Sequence, residues 1–206
     1  MITSPARTRN IYDLSGVVQG VGFRPALLRL ASDAGLSGWI QNRTDSVRIA
    51  LEGQPHAVES FIQTLEGRLP PNASLGNVSL VESVPVSEAE KLEKFSILPS
   101  FLTGATSLVI PADLAICRDC LSEITNPSDR RYGYAFTTCV NCGPRYTIIN
   151  STPYDRERTT MSAFPMCADC RHEYGNPADR RFHAETIACP KCGPQPSMED
   201  SSGNII

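Results

Sequence analysis

Two kinds of hydrophobic spacing alternate along the first hundred residues. Val47, Ile49 and Leu51 alternate with polar residues, as in a half-buried strand, whereas apolar side chains recur three and four residues apart within 55–66, as on one helix face. The predicted segments are a strand at 8–18, a helix at 23–34, strands at 37–43 and 47–53, a helix at 55–66, and further strands at 76–84 and 93–98. This order favours a βαββαβ, ferredoxin-like α+β sandwich.

The second half of the chain lacks this pattern and is instead an internal repeat. Each copy is a C-x2-C-x18-C-x2-C unit, and the copies are 50 residues apart, as Cys117 and Cys167 illustrate. The composition changes near residue 100, where Pro99 to Gly104 is typical of a linker. We therefore predict a first domain at 1–99 and a tandem four-cysteine zinc-finger domain at 100–206, with units at about 111–150 and 161–200.

The cysteine spacing indicates metal binding. In C-x2-C, the two intervening residues form a tight turn that aims both sulfurs at one point, and two such turns complete a tetrahedron around Zn²⁺. Four thiolates leave no open position, so both zinc ions are expected to be structural. The predicted ligands are Cys117, Cys120, Cys139, Cys142, Cys167, Cys170, Cys189 and Cys192.

The sequence leaves open which cysteines share an ion. A duplicated unit most simply closes on itself, with one ion on the first four cysteines and one on the last four. The alternative pairs the outer cysteines of both copies with each other and the inner cysteines with each other. His172 and His183 are spare candidate ligands, but the sulfurs already fill both shells, which favours ordinary hydrogen-bonding roles for them. Disulfides are the competing interpretation of the cysteines, and a reducing compartment disfavours them.

Charge and composition narrow the classes of function. The formal net charge is -3, and eight thiolates with two Zn²⁺ would lower it to about -7, so no nucleic-acid partner is expected. No stretch approaches the ~18 apolar residues of a membrane helix. Met1 to Arg7 lacks the apolar core of a signal peptide, so we expect a cytoplasmic protein without a membrane partner. The polar segment Met198 to Ile206 looks cut or continuing rather than finished.

The candidate chemistry lies between the first strand and the first helix. This segment is rich in glycine, and backbone N–H groups at such a helix start bind anions, above all phosphate. Arg24 adds a guanidinium suited to phosphate or carboxylate. A tight turn followed by a surface arginine is the alternative for these residues alone. The predicted phosphate-binding residues are Gln19, Gly20, Val21, Gly22, Phe23 and Arg24.

This segment, together with Gly38-Trp39-Ile40 and Asn42, resembles the acylphosphatase signature. The resemblance covers roughly 8–98. It implies that the loop and Arg24 bind the phosphate of an acyl phosphate and that Asn42 positions the attacking water, which makes these two side chains the implied catalytic residues. Ser46 is a departure, because the family usually has glycine there, and we expect a somewhat strained or differently shaped turn.

The order of the two halves is similar to the N-terminal part of the HypF family, the carbamoyltransferases of NiFe-hydrogenase maturation. The resemblance includes Phe23-Arg24-Pro25, Asn141 to Ile148 and Arg181 to Ala184, with Thr138 and Glu185 as departures. It implies that carbamoyl phosphate, or another acyl phosphate, is hydrolysed as the first step toward carbamoylating a cysteine of the partner HypE. ATP and Mg²⁺ would act only in domains beyond this chain.

A hypothesis from another class treats the first domain as a catalytically idle platform and the zinc-finger units as a protein- or nucleic-acid-binding module. Arg130-Arg131 and Arg180-Arg181 recur at the repeat offset, but short charge pairs are more typical of a solvated or ion-paired face than of a phosphate track. Their repetition also allows a structural role, with Asp129 and Asp179 as the expected partners. An acyl-phosphate hydrolysis assay separates the two hypotheses.

Overall fold

The structure is a computed structural model that describes residues 7–102 and 109–205. Thr103 and Gly104 of the predicted linker lie outside these ranges. The helices and strands are β1 Arg7–Val17, α1 Phe23–Asp33, β2 Ser37–Asn42, β3 Val47–Gly53, α2 Pro55–Thr64, β4 Ser74–Val86, β5 Phe95–Ile97, α3 Arg118–Thr125 and α4 Ala168–Gly175. Short 3-10 turns lie at Glu66–Arg68, Tyr146–Ile148, Arg156–Arg158 and Thr160–Ala163.

The first half forms one five-stranded sheet in the order β4-β1-β3-β2-β5. Neighbouring strands are antiparallel except β2 and β5, which are parallel. In the central pair, Leu14 of β1 lies opposite Val47 of β3, so the alternating apolar positions of both strands share one face. The predicted ferredoxin-like α+β fold is confirmed, with β5 added beside β2.

Both helices pack on this sheet through a single hydrophobic cluster. Phe23 and Leu27 of α1 and Val58 and Phe61 of α2 are buried in it. Burying side chains of this size stabilises the fold by ~1.5–3 kcal/mol each. The sheet contributes the buried residues Tyr12, Leu14, Ile40, Val47, Ile49, Leu51 and Phe95. This packing fixes the loop between β1 and α1, where the candidate chemistry lies.

Two details of the first half differ from the sequence prediction. β4 is longer than the predicted 76–84 and includes Pro85, which an edge strand tolerates because it pairs on one side only, with β1, in the described ranges. The turn at Ser46 is closed by a hydrogen bond from the Arg43 N–H to the Ser46 carbonyl, 2.9 Å long. Among the described residues, His183 alone is a non-glycine with positive φ, so the turn at Ser46 carries no left-handed backbone strain, and the alternative of a differently shaped turn stays a prediction.

The second half is organised by its cysteines rather than by a sheet. α3 and α4 begin directly after Cys117 and Cys167, at equivalent positions of the two copies. Helices of eight residues are marginal in water on their own, so these two depend on anchoring at the cysteine clusters and at each other's loops. No helix in the part of the chain described is both long and apolar enough to cross a membrane.

Candidate functional site

The eight cysteines form two groups of four, one within each copy of the repeat. All four sulfurs of a group lie within 4.8 Å of one another. The Cys117–Cys139 and Cys139–Cys142 sulfur separations are 3.7 and 3.8 Å, and Cys170–Cys192 is 3.6 Å. A tetrahedron with Zn–S distances of ~2.3 Å has edges of about 3.8 Å, so each group has the shape of a tetrahedral metal site.

This grouping decides the question that the spacing left open. The cysteines gather within units, which confirms the simpler pairing. All eight are free thiols, and their sulfurs are far beyond the ~2.05 Å of a disulfide. In the described part of the chain, neither His172 nor His183 belongs to a metal-ligand group. We refer to Cys117–Cys142 as the first cysteine unit and to Cys167–Cys192 as the second.

Each cysteine unit extends an arginine side chain to acceptors of the other unit, an arrangement we call the arginine exchange. Arg131 of the first unit donates to both carboxylate oxygens of Glu173 on α4, at 2.5 and 3.1 Å, and to the Ala188 carbonyl at 2.9 Å. The equivalent residues of the other copy make the same contacts in the opposite direction. Arg181 of the second unit donates to both carboxylate oxygens of Glu123 on α3 and to the Thr138 carbonyl. The arginine pairs are therefore ion-paired, as interpreted from the sequence, but their partners are glutamates of the other copy.

The exchange also places positive charge beside the sulfurs. Arg130 Nη2 lies 3.3 Å from the sulfur of Cys170, and Arg180 Nη1 lies 3.2 Å from the sulfur of Cys120. Burial by itself would raise the pKa of Glu173, but hydrogen bonds from Arg131 and Arg130 lower that pKa to about 2. Each cluster is thus partly neutralised by guanidinium groups that the other copy supplies.

Arg145 connects the first cysteine unit to the glycine-rich loop. Its Nε donates to the carbonyl of Gly20, and its terminal nitrogens donate to the carbonyls of Cys142, Pro144, Cys139 and Val140 at 2.8–3.2 Å. The side chain is almost completely buried. One guanidinium therefore fixes the loop against the turn that carries the second cysteine pair.

The loop itself has the backbone expected of an anion cradle. Gly20 and Gly22 have φ of 71° and 73°, in the left-handed region that favours glycine. The side chains of Val21 and Phe23 are buried in the core, so only backbone is available there. Within residues 7–102 and 109–205, the N–H groups of 19–24 donate to no protein acceptor. They remain available for an anion.

Arg24 and Asn42 converge on a single oxygen atom. Arg24 Nη2 and Asn42 Nδ2 each lie 3.4 Å from the carbonyl oxygen of Tyr154, which belongs to the segment between the two cysteine units. The Tyr154 N–H donates to Gln19 Oε1 at 2.9 Å, while Gln19 Nε2 donates to the carbonyls of Arg43 and Ser46. The structure thus brings the two predicted catalytic side chains together. The Gln19 side chain connects the Tyr154 backbone to the turn of Arg43 and Ser46.

Two carboxylates share the Arg24 guanidinium. Glu185 Oε1 lies 2.9 Å and Asp155 Oδ1 lies 3.2 Å from Arg24 Nη2. The other oxygen of Glu185 accepts from the Tyr174 hydroxyl at 3.0 Å and from the Arg156 N–H at 3.1 Å. Burial raises the pKa of Glu185, and the charge of Arg24 opposes that rise.

Two cavities adjoin Arg24. A cavity of about 20 Å³ lies between the glycine-rich loop and the first cysteine unit, room for roughly one water molecule. A larger, open cavity of about 530 Å³ lies on the side of Asp155 and Arg156. His183 lines both; burial, and then the charge of Arg24, lowers its pKa to about 4, so its imidazole is neutral.

Sequence reasoning missed the residues that the second half contributes to this site. Tyr154, Asp155 and Arg145 belong to no periodic pattern and to no metal-ligand motif. Glu185 stood out only as a departure from a family motif. Their contacts with Gly20 and Arg24 join residues more than a hundred positions apart, which no local signal reports.

Each half of the chain matches a known protein family. Residues 11–97 match the acylphosphatase family, and residues 116–149 and 166–199 match the HypF finger. The carbamoyltransferase HypF of Synechocystis sp. is 45% identical over 151 residues, which are 73% of this chain and 19% of that protein. An acylphosphatase of Lactobacillus gasseri is 37% identical over 86 residues, which are 41% of this chain and 91% of that protein.

A solved structure also matches almost the whole chain. The crystal structure of full-length HypF in its phosphate- and nucleotide-bound form superposes with a TM-score of 0.86 at 38% identity, covering 95% of this chain and 25% of that one. The chain therefore spans about a fifth to a quarter of the HypF proteins that it matches.

Proposed function

Since this chain belongs to the acylphosphatase family, we propose that it hydrolyses carbamoyl phosphate to carbamate and phosphate. The family match supports an acyl phosphate as the substrate class. The similarity to HypF carbamoyltransferases supports carbamoyl as the acyl group, in preference to other acyl phosphates.

The observation that carries the proposal is the convergence of Arg24 and Asn42 on one oxygen. Both side-chain nitrogens lie 3.4 Å from the Tyr154 carbonyl, so a phosphate held by Arg24 and a water molecule held by Asn42 would be neighbours at this point. The free N–H groups of 19–24 lie in the adjoining loop. Donors fixed before the substrate arrives stabilise charge that develops in the transition state.

The chemistry follows from this arrangement. The loop N–H groups and Arg24 hold the phosphate, and Asn42 orients a water molecule toward the carbonyl carbon. The water oxygen bonds to that carbon, and the bond from carbon to the bridging oxygen breaks, leaving its electron pair on phosphate. A phosphate oxygen takes one water proton, and the carbamic acid releases the other to solvent. No histidine or cysteine lies within 19–24, so a covalent intermediate is not part of the proposal.

We further propose that each cysteine unit holds one structural Zn²⁺. The sulfur separations of 3.6–3.8 Å fit a tetrahedral ion, and four thiolates leave no position for water. The metal would fix the loops that carry Tyr154 and Arg145 rather than take part in hydrolysis. Eight unbridged thiols suit the reducing cytosol. Mass spectrometry of the native protein should find two zinc ions per chain, and one or none would contradict this assignment.

In the longer protein, we propose that carbamate passes to the ATP- and Mg²⁺-dependent steps of a HypF carbamoyltransferase. The carbamoyl group would then reach a cysteine of a HypE-like maturation protein. These steps need residues outside this chain, which spans 19% of the Synechocystis relative. No nucleic acid takes part in this scheme.

The test is phosphate release from carbamoyl phosphate by the zinc-loaded chain and its Arg24→Ala variant. Removing this guanidinium should lower kcat/KM by at least about 10²–10³-fold, the effect of losing one main transition-state donor. Arg68→Ala is the matched control, because Arg68 is exposed and its side chain makes no hydrogen bond or ion pair within the described ranges. Equal turnover by wild type and Arg24→Ala would refute the enzymatic proposal and favour the idle platform.

A further inference from the structure

The bonding of Arg24 conflicts with its proposed role as a phosphate ligand. A guanidinium grips phosphate with two parallel N–H groups, and both edges that offer such a pair include Nη2. This nitrogen is already within 3.4 Å of three acceptors, namely Glu185 Oε1, Asp155 Oδ1 and the Tyr154 carbonyl. A bidentate phosphate must therefore take Nη2 from these groups.

We propose that Glu185 is an internal counter-ion of Arg24, which phosphate displaces on binding, so that Glu185 sets the affinity of the site for phosphate. This inference rests on the proposed function, because it takes Arg24 as the phosphate ligand. Asp155 acts in the same way but more weakly, since its contact is longer and its side chain is more exposed, 19% against 4% for Glu185.

Glu185 is held in place for this competition. The Tyr174 hydroxyl and the Arg156 N–H fix its second oxygen, so little side-chain entropy is lost when it pairs with Arg24. A carboxylate and a phosphate cannot share one nitrogen at low cost in a buried site, because like charges repel strongly there. The cavity of about 530 Å³ beside Glu185 gives the displaced carboxylate room, and Arg156 and Arg158 line it.

The test measures binding of inorganic phosphate to the zinc-loaded chain by isothermal titration calorimetry at pH about 8, where phosphate is a dianion. Glu185→Gln keeps the shape of the side chain and an oxygen for Arg24 but removes the charge. We expect it to bind phosphate about tenfold more tightly than wild type, since a charged hydrogen bond exceeds a neutral one by about this factor. Equal or weaker binding by Glu185→Gln would overturn the inference.

Two further variants make the result specific. Glu157→Gln removes a carboxylate from the same cavity that does not touch Arg24, and it should change the phosphate Kd less than about twofold. Tightening by Glu157→Gln as large as that by Glu185→Gln would mean a general charge effect and would overturn the inference. Should Glu185→Gln fail to fold, Asp155→Asn should bind about threefold more tightly, and an unchanged Kd would overturn it equally.

Arg24→Ala separates this inference from the proposed function. Wild-type phosphate binding in that variant would show that Arg24 is not the phosphate ligand, and both would fail. Loss of binding in Arg24→Ala, together with an unchanged Kd in Glu185→Gln, would leave the proposed function intact and refute the internal counter-ion alone.

The pH dependence gives a second readout. Burial raises the pKa of Glu185, so this group takes up a proton before ordinary carboxyls do as the pH falls, and the neutral form releases Arg24. The Kd ratio of wild type to Glu185→Gln, in which the titration of phosphate cancels, should therefore fall toward one as the pH is lowered from about 8. A constant ratio above one would point to a steric effect of the substitution instead and would count against the inference. The charged and titratable groups facing Glu185 are Arg24, Asp155, Arg156 and Tyr174.

Discussion

Replacing Arg131 with alanine should loosen the metal site of the unit to which Arg131 does not belong. The side chain is 2% exposed and donates to Glu173 and to the Ala188 carbonyl, all in the second cysteine unit. Removing one partner of a buried ion pair costs ~3–5 kcal/mol. Glu173 keeps Arg130 at 2.7 Å, so the lower end applies and we expect about 3 kcal/mol.

That energy corresponds to about a hundredfold easier opening of the second cluster. The assay is alkylation of the zinc-loaded protein with N-ethylmaleimide during transfer of zinc to a chromophoric chelator, with labelled cysteines mapped by mass spectrometry. In Arg131→Ala, the cysteines of 167–192 should react before those of 117–142. Arg181→Ala is the matched control. Arg181 donates to residues of the first cysteine unit, so in this variant the cysteines of 117–142 should react first.

The reasoning fails if each variant exposes the cysteines of its own unit first. It also fails if both variants expose the same cluster, because the contacts would then not be reciprocal in solution. Zinc content before the assay should stay at two ions per chain in both variants, which separates faster release from failure to load.

Two other predictions follow from the site and the metal clusters. Asn42→Ala should lower kcat for carbamoyl phosphate more than it weakens phosphate binding, because Asn42 orients water rather than holding the anion. Steady-state kinetics give kcat, and calorimetry gives the phosphate Kd. Equal losses in both would mean that Asn42 only binds the anion. Removing zinc with excess chelator should unfold 109–205 while the sheet persists, because the second half has only small apolar clusters of its own. Trp39 on β2 is the single tryptophan, and a large shift of its emission would contradict independent stability of the sheet.

The sequence predicted well whatever depends on neighbours in the chain. Period-two and helical spacing located β3 and α2 closely, because each buries one face against the same sheet core. The cysteine spacing located both four-cysteine clusters, since two residues between cysteines allow one tight turn. The sharp turns of the glycine-rich loop could be predicted because Gly20 and Gly22 adopt positive φ, which favours glycine; its anion binding stays a prediction.

The rest depends on contacts that no spacing encodes. Glu185 meets Arg24 across 161 positions of sequence, and Tyr154 meets Asn42 across 112. These contacts exist only after the cysteine units have folded and packed against the sheet. The spacing also left open whether Arg130 and Arg131 are solvated or ion-paired, and only the second copy supplies their partners, Glu173 and the Ala188 carbonyl.

The arginine exchange between the two cysteine units has the geometry of an isologous dimer built into a single chain. Each copy presents the same donor and the same acceptor, so two copies satisfy each other completely. A third copy would find neither a free glutamate nor a free arginine of this set, which makes the array self-limiting at two. A truncation after the first copy would instead leave Arg131 without its acceptors, and Glu123 and the Cys120 sulfur without their cations, so shortened versions of this protein should retain both copies or neither.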